Sequence, residues 1–285
     1  AREGTVQPDV LAQIRNADAL LHVARAFEGG DRPADPWRDV EEMELEFAVA
    51  DLTVVQKRLE RLATSGRHGS PSEREQNAQE EELLRRLEPH LSDGLPLRTF
   101  SLTDDEEHRL RGYRFLTQKP VLVVLNIDEA RLGEAGALEE AGRGRLADPQ
   151  SDVAALAGKI EAEIAQLPPE DAALFMEDLG IAEPSRGRVV RLTYELLGLF
   201  SFFTAGEDEC RAWTLRRGAT AVDAAGAIHT DLARGFIRAE VVSFEDLVAC
   251  GSTAEARKRG LLRSEGKSYA VRDGDVIEVL FNVSR

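Results

Sequence analysis

The chain has 285 residues, of which 42% are hydrophobic, and carries a formal net charge of −16 at pH 7. A chain of this length can bury a sizeable core and should divide into about two or three domains. The acidic balance excludes a general polyanion-binding surface, so no DNA partner is expected and any RNA contact must come from a local basic patch. No apolar run reaches the ~18 residues of a membrane span and no signal peptide is recognisable, which predicts a cytoplasmic protein without a membrane partner.

Two cysteines, Cys210 and Cys250, are too few for a disulfide scaffold. They have no CxxC motif or nearby Cys/His spacing of the kind that holds zinc. The sequence therefore predicts two free thiols and no metal site of this type.

The first predicted elements are a short helix over residues 10–19 and an apolar run, Ala19 to Phe27, that can form a strand parallel to a later one. His22 lies within this run, and we interpret it as a core histidine rather than a catalyst. Residues 29–36, GGDRPADP, form a loop by their Gly, Pro and Asp content, and a domain boundary is expected there.

A change of composition after residue 36 predicts two long helices. Apolar residues recur every three or four positions from Trp37 to Leu62, Gly66 to Pro71 interrupts the pattern, and Ser72 to Leu91 supplies a second helix with leucines on one side. The two should pack as an antiparallel, coiled-coil-like hairpin within an insert spanning residues 37–115. Their alternating charges fit either a solvated face or a partner-binding arm.

The apolar run Val121 to Leu125 predicts the central strand of a parallel sheet that is covered on both faces. Asn126, Asp128 and Glu129 follow at its carboxyl end, the edge where open α/β sheets bind ligands. From position alone, this cluster is either a ligand contact or a plain strand-end turn, since Asn and Asp favour such turns for local reasons.

Residues 131–150 are rich in Gly, Ala and Glu, and we expect a mobile loop there with at most one short helix. GRGR at 142–145 is not a phosphate loop, and the pattern GxxxxGK[ST] occurs nowhere in the 285 residues. Val153 to Leu156 predicts a further strand, followed by Gly158, Lys159 and a helical stretch. Two more helices are expected over residues 170–180 and 185–198.

After Gly198, short apolar runs separated by glycine predict a compact α+β domain over residues 199–285. The expected strands are 212–215, 236–243, 268–271 and 276–283, with helices near 221–227 and 244–259. Asp273-Gly274-Asp275 predicts a hairpin turn between the last two strands. Arg216, Arg217 and Gly218 form a basic turn, which is either a solvated corner or an RNA contact.

Three parts of the sequence resemble the YchF subfamily of Obg-like P-loop nucleotide hydrolases, and the likeness extends from about residue 10 to the end. NIDE at 126–129 is similar to the subfamily's Asn-x-x-Glu, which replaces the Asn-Lys-x-Asp of ordinary GTPases. KIEAEI at 159–164 is similar to the segment after the fifth nucleotide motif. The C-terminal part is similar to the subfamily's TGS domain in YELLGLFSFFTAGEDECRAWTLRRG, AAGAIHTDLARGFIRAEVVSFEDL and EGKSYAVRDGDVIEVLFNV.

The resemblance implies a fold of three parts. Residues 1–36 and 116–198 would form the C-terminal half of an α/β P-loop-type nucleotide domain, here partial. Residues 37–115 would form an inserted α-helical hairpin. Residues 199–285 would form an α+β, ubiquitin-like β-grasp TGS domain.

The resemblance also implies that Asn126, Ile127, Glu129, Gly158 and Lys159 bind the base of a nucleotide. In ordinary GTPases an Asp accepts hydrogen bonds from the N1 and N2 protons of guanine. Glu129 is one methylene longer, so guanine selectivity should fall and ATP should be accepted as well as GTP. Asn126 would brace the loop and face the purine, Ile127 would pack on it, and the backbone of Gly158 and Lys159 would approach it. Ala157 stands where the subfamily usually has Ser.

The subfamily's phosphate-binding and Mg²⁺-binding motifs have no counterpart in these 285 residues. Ala1 to Gly4 resemble the residues just after the subfamily's Asp-x-x-Gly motif, so the phosphate and Mg²⁺ sites are expected upstream, and no catalytic or metal-ligating residue is expected within this chain. The resemblance implies an ATP or GTP hydrolase, using Mg²⁺, that acts with the ribosome in translation or stress response. The alternative is a non-hydrolysing adaptor that binds the ribosome or another protein through the hairpin and the TGS domain.

Overall fold

The computed structural model describes residues 7–29, 32–65, 70–146, 148–181, 183–206 and 209–282. The chain divides into two units, residues 1–196 and 197–285. Within the described ranges, none of the helices combines the length and the apolar character that crossing a membrane requires.

The first unit is built on a three-stranded parallel sheet in the order β1-β2-β3. In chain order its elements are α1 (Pro8–Ile14), β1 (Leu20–Ala26), α2 (Pro36–Ser65), α3 (Pro71–Ser92), α4 (Asp104–Leu110), β2 (Val121–Ile127), α5 (Ala135–Leu146), β3 (Ser151–Leu156), α6 (Gly158–Ile164), α7 (Pro169–Asp178) and α8 (Ser185–Leu196). Val123 pairs with His22 on one side and with Val153 on the other. The parallel pairing predicted for the first apolar run is therefore confirmed.

Side chains alternate across β2, and both faces of this strand are covered, as predicted. Val121, Val123, Leu125 and Ile127 pack with residues of α2, α5, α6 and α7. Leu122 and Val124 point the other way and pack with α8. On this second face, Leu21 and Val23 of β1 are 51% and 55% exposed. The described residues therefore cover this face at β2 and β3 but leave it open at β1.

Helices α2 and α3 form the predicted antiparallel hairpin. Gln56 of α2 contacts Glu88 of α3, and Arg58 contacts Glu80. Residues later in α2 therefore contact residues earlier in α3, which shows that the two helices are antiparallel. The leucines predicted to share one side of α3 are buried: Leu83, Leu84, Leu87 and Leu91. Helix α3 begins with a capping box, in which Ser70 and Glu73 satisfy each other's backbone N–H groups.

The hairpin is joined to the sheet through Asp51 of α2, whose side chain is fully buried. The carboxylate accepts hydrogen bonds from Arg15 at 2.9 Å, from the Leu116 N–H at 3.1 Å, and from the N–H and hydroxyl of Thr117 at 2.8 and 2.9 Å. A buried charge with this many donors fixes where α2 crosses the residues leading into β2.

Residues 129–146 are helical, which corrects the expectation of a loop over most of 131–150. A 3₁₀ helix over Glu129–Glu134 leads directly into α5. Gly142 lets α5 approach Trp37, because a Cβ at this position would lie 2.9 Å from the indole ring. Arg143 also pairs with Asp152 of β3 at 2.6 Å. These long-range contacts outweigh a glycine content that is unfavourable for a helix.

The second unit contains a five-stranded sheet in the order β5-β4-β8-β6-β7. Its elements are β4 (Leu199–Ala205), β5 (Cys210–Arg216), α9 (Ala221–Ile228), α10 (Thr230–Arg234), β6 (Phe236–Ser243), α11 (Phe244–Cys250), α12 (Thr253–Lys258), β7 (Arg263–Glu265) and β8 (Asp275–Phe281). Strand β4 runs parallel to β8, whereas β5 is antiparallel to β4 and β6 is antiparallel to both β7 and β8. Helix α9 packs on one face of this sheet, and α11 and α12 pack on the other.

Two details of the predicted C-terminal domain are wrong. Residues 268–271 form no strand and contain one isolated bridge, Thr220 to Ala270, so the turn at 273–275 does not close the predicted hairpin. Tyr269 is held away from a hairpin geometry because its carbonyl accepts from the Ala221 N–H and its hydroxyl donates to Asp275. The helix expected over 244–259 is divided in two at Gly251, which adopts a left-handed conformation at φ +74°.

Candidate functional site

The carboxyl ends of the three parallel strands meet at one edge of the first unit's sheet. In the strand register, Asn126 of β2 lies between Arg25 of β1 and Leu156 of β3. Asn126 is half-buried and shares the sheet face of Leu122 and Val124. An amide side chain thus stands at the centre of the edge where open α/β sheets bind ligands.

The Asn126 side chain is fixed by the backbone at Gly158, which follows β3. Its Oδ1 accepts a hydrogen bond from the Gly158 N–H at 2.9 Å. Helix α6 begins at Gly158, and the preceding Ala157 makes no side-chain cap. A Cβ on Gly158 would lie 3.0 Å from Asn126 Oδ1, so glycine permits this close approach. Because Oδ1 is committed to this bond, the amide nitrogen of Asn126 remains as the donor.

A second contact positions α6, and sequence analysis missed it. Glu161 accepts hydrogen bonds from the Ser185 hydroxyl at 2.5 Å and from the Ser185 N–H at 3.1 Å. Ser185 opens α8, the helix that covers Leu122 and Val124. Glu161 therefore ties the helix that starts at Gly158 to the helix under Asn126.

Arg25 also lies at this edge and was not predicted. Its guanidinium donates to the carbonyls of Phe27, at 3.3 Å, and of Arg32, at 2.8 Å, as well as to Gly29. These bonds hold the segment that follows β1 beside Asn126. A cavity of about 240 Å³ opens next to this segment and is lined in part by Phe27, Asp128 and Arg131.

Of the polar residues that follow β2 and β3, Asp128 has a structural role, whereas the side chains of Glu129 and Lys159 have no partner among the described residues. Asp128 caps the 3₁₀ helix by accepting from the Ala130 N–H at 3.1 Å, which is the plain turn role left open from the sequence. Glu129 and Lys159 are exposed, and no described residue forms a hydrogen bond or ion pair with either side chain. Both are therefore available to a ligand at the edge.

Ile127 is placed differently from the other expected base contacts. It is 3% exposed, and its side chain belongs to the core on the face opposite to Asn126. The period-two alternation of a strand requires this, because neighbouring side chains point to opposite faces. In this structure Ile127 offers no free surface to a base, so we leave it out of the proposed contact set.

The remaining candidates from the sequence lie outside this edge. His22 is half-buried, and burial lowers its pKa, which favours the neutral ring. Cys210 and Cys250 are free thiols, as predicted. Among the described residues, no group of three or more His, Cys, Asp or Glu side chains is arranged to hold a metal ion.

The basic turn predicted in the second unit is exposed. Arg216 ends β5, Arg217 follows it, and Gly218 closes the turn with φ +86°. The Arg217 N–H donates to the Gly198 carbonyl at 2.7 Å, which anchors the backbone. Neither guanidinium has a hydrogen-bond or ion-pair partner in the described part of the chain.

Comparison with known proteins gives relatives over nearly the whole chain. The ribosome-binding ATPase YchF of Bacillus subtilis (strain 168) is 38% identical over 281 residues, which are 96% of this chain and 75% of that protein. The chain belongs to the YchF family of Obg-like ATPases. The Escherichia coli O157:H7 ribosome-binding ATPase YchF is likewise 38% identical over 281 residues, with the same coverage. Obg-like ATPase 1 of Oryza sativa subsp. japonica is 34% identical over 287 residues, covering 96% of this chain and 70% of its own length.

Two further matches agree with this membership of the YchF family. The family model YchF-GTPase_C, described as a protein of unknown function (DUF933), matches residues 199–282. The structure of the Schizosaccharomyces pombe YchF GTPase superposes with a TM-score of 0.84 at 25% sequence identity, over 98% of this chain and 76% of that one. The chain spans about three quarters of the length of these relatives.

Proposed function

We propose that this YchF chain supplies the base-binding half of a purine nucleotide site in a ribosome-associated nucleoside-triphosphate hydrolase. The observation that carries this proposal is the hydrogen bond between Asn126 Oδ1 and the Gly158 N–H. It leaves the Asn126 amide nitrogen as a donor at the ligand-binding edge of the sheet. The N7 atom of a purine is an acceptor in both adenine and guanine, so this donor fits either base.

Base selectivity is assigned to Glu129. Its carboxylate is exposed at the start of the 3₁₀ helix and has no partner among the described residues. A shorter Asp at this position matches the N1 and N2 protons of guanine, whereas the additional methylene of Glu129 displaces the carboxylate. We therefore expect ATP and GTP both to be accepted. The backbone of Gly158 and Lys159 lies beside Asn126 and completes the contact set, with the Gly158 N–H itself donated to Asn126 Oδ1.

The phosphate half of the proposed site is not encoded in the 285 residues, which contain no GxxxxGK[ST] pattern. A segment carrying that pattern would supply the phosphate and Mg²⁺ contacts, and Mg²⁺ would neutralise charge on the transferred phosphoryl group. In this proposal the described residues bind and orient the base. They perform no chemical step.

The second unit is proposed to be a TGS domain and the ribosome-contacting part of the chain. Residues 197–285 contain 13 acidic and 12 basic side chains, a net charge of −1, so residues 1–196 carry −15 of the total −16. The second unit is thus nearly neutral and can approach RNA with less repulsion. Ribosome binding is named for the Bacillus subtilis and Escherichia coli relatives.

Saturation-transfer NMR with ATP and GTP tests the base site in this chain. We expect transfer to the purine protons of both nucleotides, with a loss of most of it in Asn126→Ala. Arg238→Gln is the control, because it removes one exposed charge in the other unit. Equal transfer in wild type and Asn126→Ala would contradict the proposed site. Ribosome binding that persists without any nucleotide transfer in the wild type would favour the adaptor alternative.

A further inference from the structure

A second cavity lies at the opposite end of the first unit's sheet. It has a volume of about 450 Å³ and is lined by Asp18, Pro120 and Gln150, which come just before the three strands. Residues of the segment between α3 and β2 line its other side. We call it the root cavity, because it lies where the helical hairpin joins the sheet. It is separate from Asn126, which lies at the carboxyl ends of the strands.

Among the described residues that line the root cavity, unpaired cations outnumber unpaired carboxylates by three to two. Five cationic side chains line it: Arg15, Arg98, Arg111, Arg114 and Lys119. Within the described residues, Arg15 pairs with Asp51 at 2.9 Å, and Arg98 pairs with Glu44 at 2.7 Å and with Asp148 at 3.6 Å. The other three form no ion pair within the described residues. Two exposed carboxylates, Asp18 and Glu107, also line the cavity, so the balance of unpaired groups there is positive in a unit of net charge −15.

The three unpaired cations contact neutral oxygens or solvent. Arg114 donates to the side-chain oxygen of Asn16, and Lys119 Nζ donates to the Ala17 carbonyl at 2.5 Å. Arg111 is exposed and has no partner in the part of the chain that the structure describes. Burial lowers the pKa of Lys119, Asp18 opposes this effect, and Arg114 adds to it.

The backbone at Arg114 is unusual in a way that serves this arrangement. Arg114 has φ 52° and ψ 48°, and among the described residues other than glycine it alone has a positive φ. Such a conformation is unfavourable for a residue that carries a Cβ. It directs the Arg114 carbonyl to Arg15, at 3.1 Å from Nη1. Strained backbone of this kind concentrates at ligand-binding positions.

We propose that the root cavity binds a small phosphate-bearing anion through Arg111, Arg114 and Lys119. Guanidinium groups offer paired donors to phosphate oxygens, and a lysine adds a point charge. The volume falls within the range of ~300–1,000 Å³ typical of small-molecule sites. An apolar wall that includes Phe100 and Leu102 stands beside the cations and would contact an organic group attached to the phosphate. A bound anion would link the segment between α3 and β2 to the residues that come just before the strands of the sheet.

Isothermal titration calorimetry at constant ionic strength tests the proposal with two probes, inorganic pyrophosphate and phenyl phosphate. We expect both to bind wild type, and the double variant Arg111→Gln/Arg114→Gly to bind at least about tenfold more weakly. Glycine at 114 keeps the left-handed backbone while removing the guanidinium. The control Arg238→Gln/Lys267→Gln removes two exposed cations of the other unit that have no ion-pair partner among the described residues, and it should retain wild-type affinity.

The two probes also distinguish the source of the ligand. Tighter binding of phenyl phosphate indicates an organic phosphate that uses the apolar wall, and tighter binding of pyrophosphate indicates an inorganic one. Circular dichroism establishes that each variant is folded, and Lys119→Gln replaces the double variant if that variant does not fold. No binding to wild type, or equal affinity in wild type and the cavity variant, would overturn the proposal.

Discussion

The Asn126 side chain and the Gly158 backbone join the ends of two neighbouring strands. The hydrogen bond of 2.9 Å between them settles the orientation of the amide, because an N–H can donate only to the oxygen of Asn126. The same bond compensates for the missing cap at Ala157. The contact therefore has a structural part, carried by the oxygen, and a proposed ligand-binding part, carried by the nitrogen.

Substitutions at Asn126 should separate these two parts. Asn126→Ala leaves the half-buried Gly158 N–H without its acceptor and should lower the free energy of unfolding by about 1 kcal/mol. Asn126→Asp keeps the acceptor, so its stability should lie closer to wild type, but it loses the amide donor and should lose nucleotide binding. Urea denaturation and saturation-transfer NMR measure the two effects. If Asn126→Asp is as unstable as Asn126→Ala, the structural role assigned to the oxygen is incorrect.

Glu129 offers a test of base selectivity in a YchF protein that also contains the phosphate-binding segment. Glu129→Asp restores the shorter carboxylate and should shift the ratio of affinities toward GTP by about tenfold, as expected for a hydrogen-bonded pair worth ~1.5 kcal/mol. Competition binding of ATP against GTP measures the ratio. Glu134→Asp, which shortens a nearby exposed carboxylate paired with Arg131, is the control. An unchanged ratio in Glu129→Asp would count against the role of Glu129.

Glu80 should make the hairpin sensitive to acid. Burial alone raises the pKa of Glu80, but hydrogen bonds from Arg58 and Tyr113 outweigh it and hold the pKa below its ordinary value. The stabilisation is therefore present above the unfolded-state pKa of about 4.3 and is lost as pH falls through the lower folded-state pKa. Arg58 contacts the carboxylate with two donors, at 3.0 and 2.6 Å.

Glu80→Gln should accordingly lower the free energy of unfolding by about 1 kcal/mol at pH 7 and by much less near pH 2. Urea denaturation at the two pH values measures the difference. The control Glu81→Gln removes an exposed pair with Arg85 and should change stability by at most about 0.5 kcal/mol. A loss for Glu80→Gln that is equal at both pH values would show that the ion pair is not its cause.

Hydrolysis should be absent from a polypeptide of these 285 residues. Phosphoryl transfer depends on positioning of the phosphates and Mg²⁺. The GxxxxGK[ST] pattern that would provide it does not occur in the 285 residues. We expect no release of phosphate from ATP or GTP above that of a mock purification. Turnover that follows the protein through successive columns and is lost in Asn126→Ala would contradict this expectation.

Periodicity in the sequence predicted the elements whose faces are set locally. The β-branched run at 121–125 and the leucine spacing of α2 and α3 indicate directly which side chains are buried, and the structure confirms these elements. Helix α5 was expected as at most one short helix within a mobile loop, because it depends on Gly142 meeting Trp37, a contact across more than a hundred residues. Strand β4, LFSFFTA, was not among the predicted strands, although Gly198 with φ +61° separates it from α8.

The candidate site shows the same division between local and distant signals. Asn126 could be found from its position after a buried strand, because strand ends are visible in the sequence. Ile127 was expected beside the base, but strict alternation along β2 places it in the core. Glu161 carries no local signal, because its partner Ser185 lies 24 residues along the chain. Arg25 has acceptors within seven residues, but these are backbone carbonyls, which leave no mark on the pattern of side chains.

Arg216 and Arg217 give the last prediction, which concerns the ribosome. Both guanidinium groups project from an anchored turn, without partners among the described residues, on a unit of nearly zero net charge. The guanidinium group of arginine binds phosphate oxygens through paired N–H donors, so this turn is our candidate contact with rRNA. Binding through a few such contacts should weaken steeply as salt rises.

Replacing both arginines with glutamate reverses the charge of the turn and should leave folding intact, because exposed substitutions change stability by about 0.5 kcal/mol or less. Co-sedimentation with ribosomes across a salt series should show weaker binding and a shallower salt dependence for the variant. Arg257→Glu/Lys258→Glu, on α12 of the same unit, makes the same change of charge elsewhere and should bind more like wild type. Equal binding with equal salt slopes in wild type and the Arg216/Arg217 variant would remove the turn from the interface. The hairpin formed by α2 and α3 would then become the better candidate for the ribosomal contact.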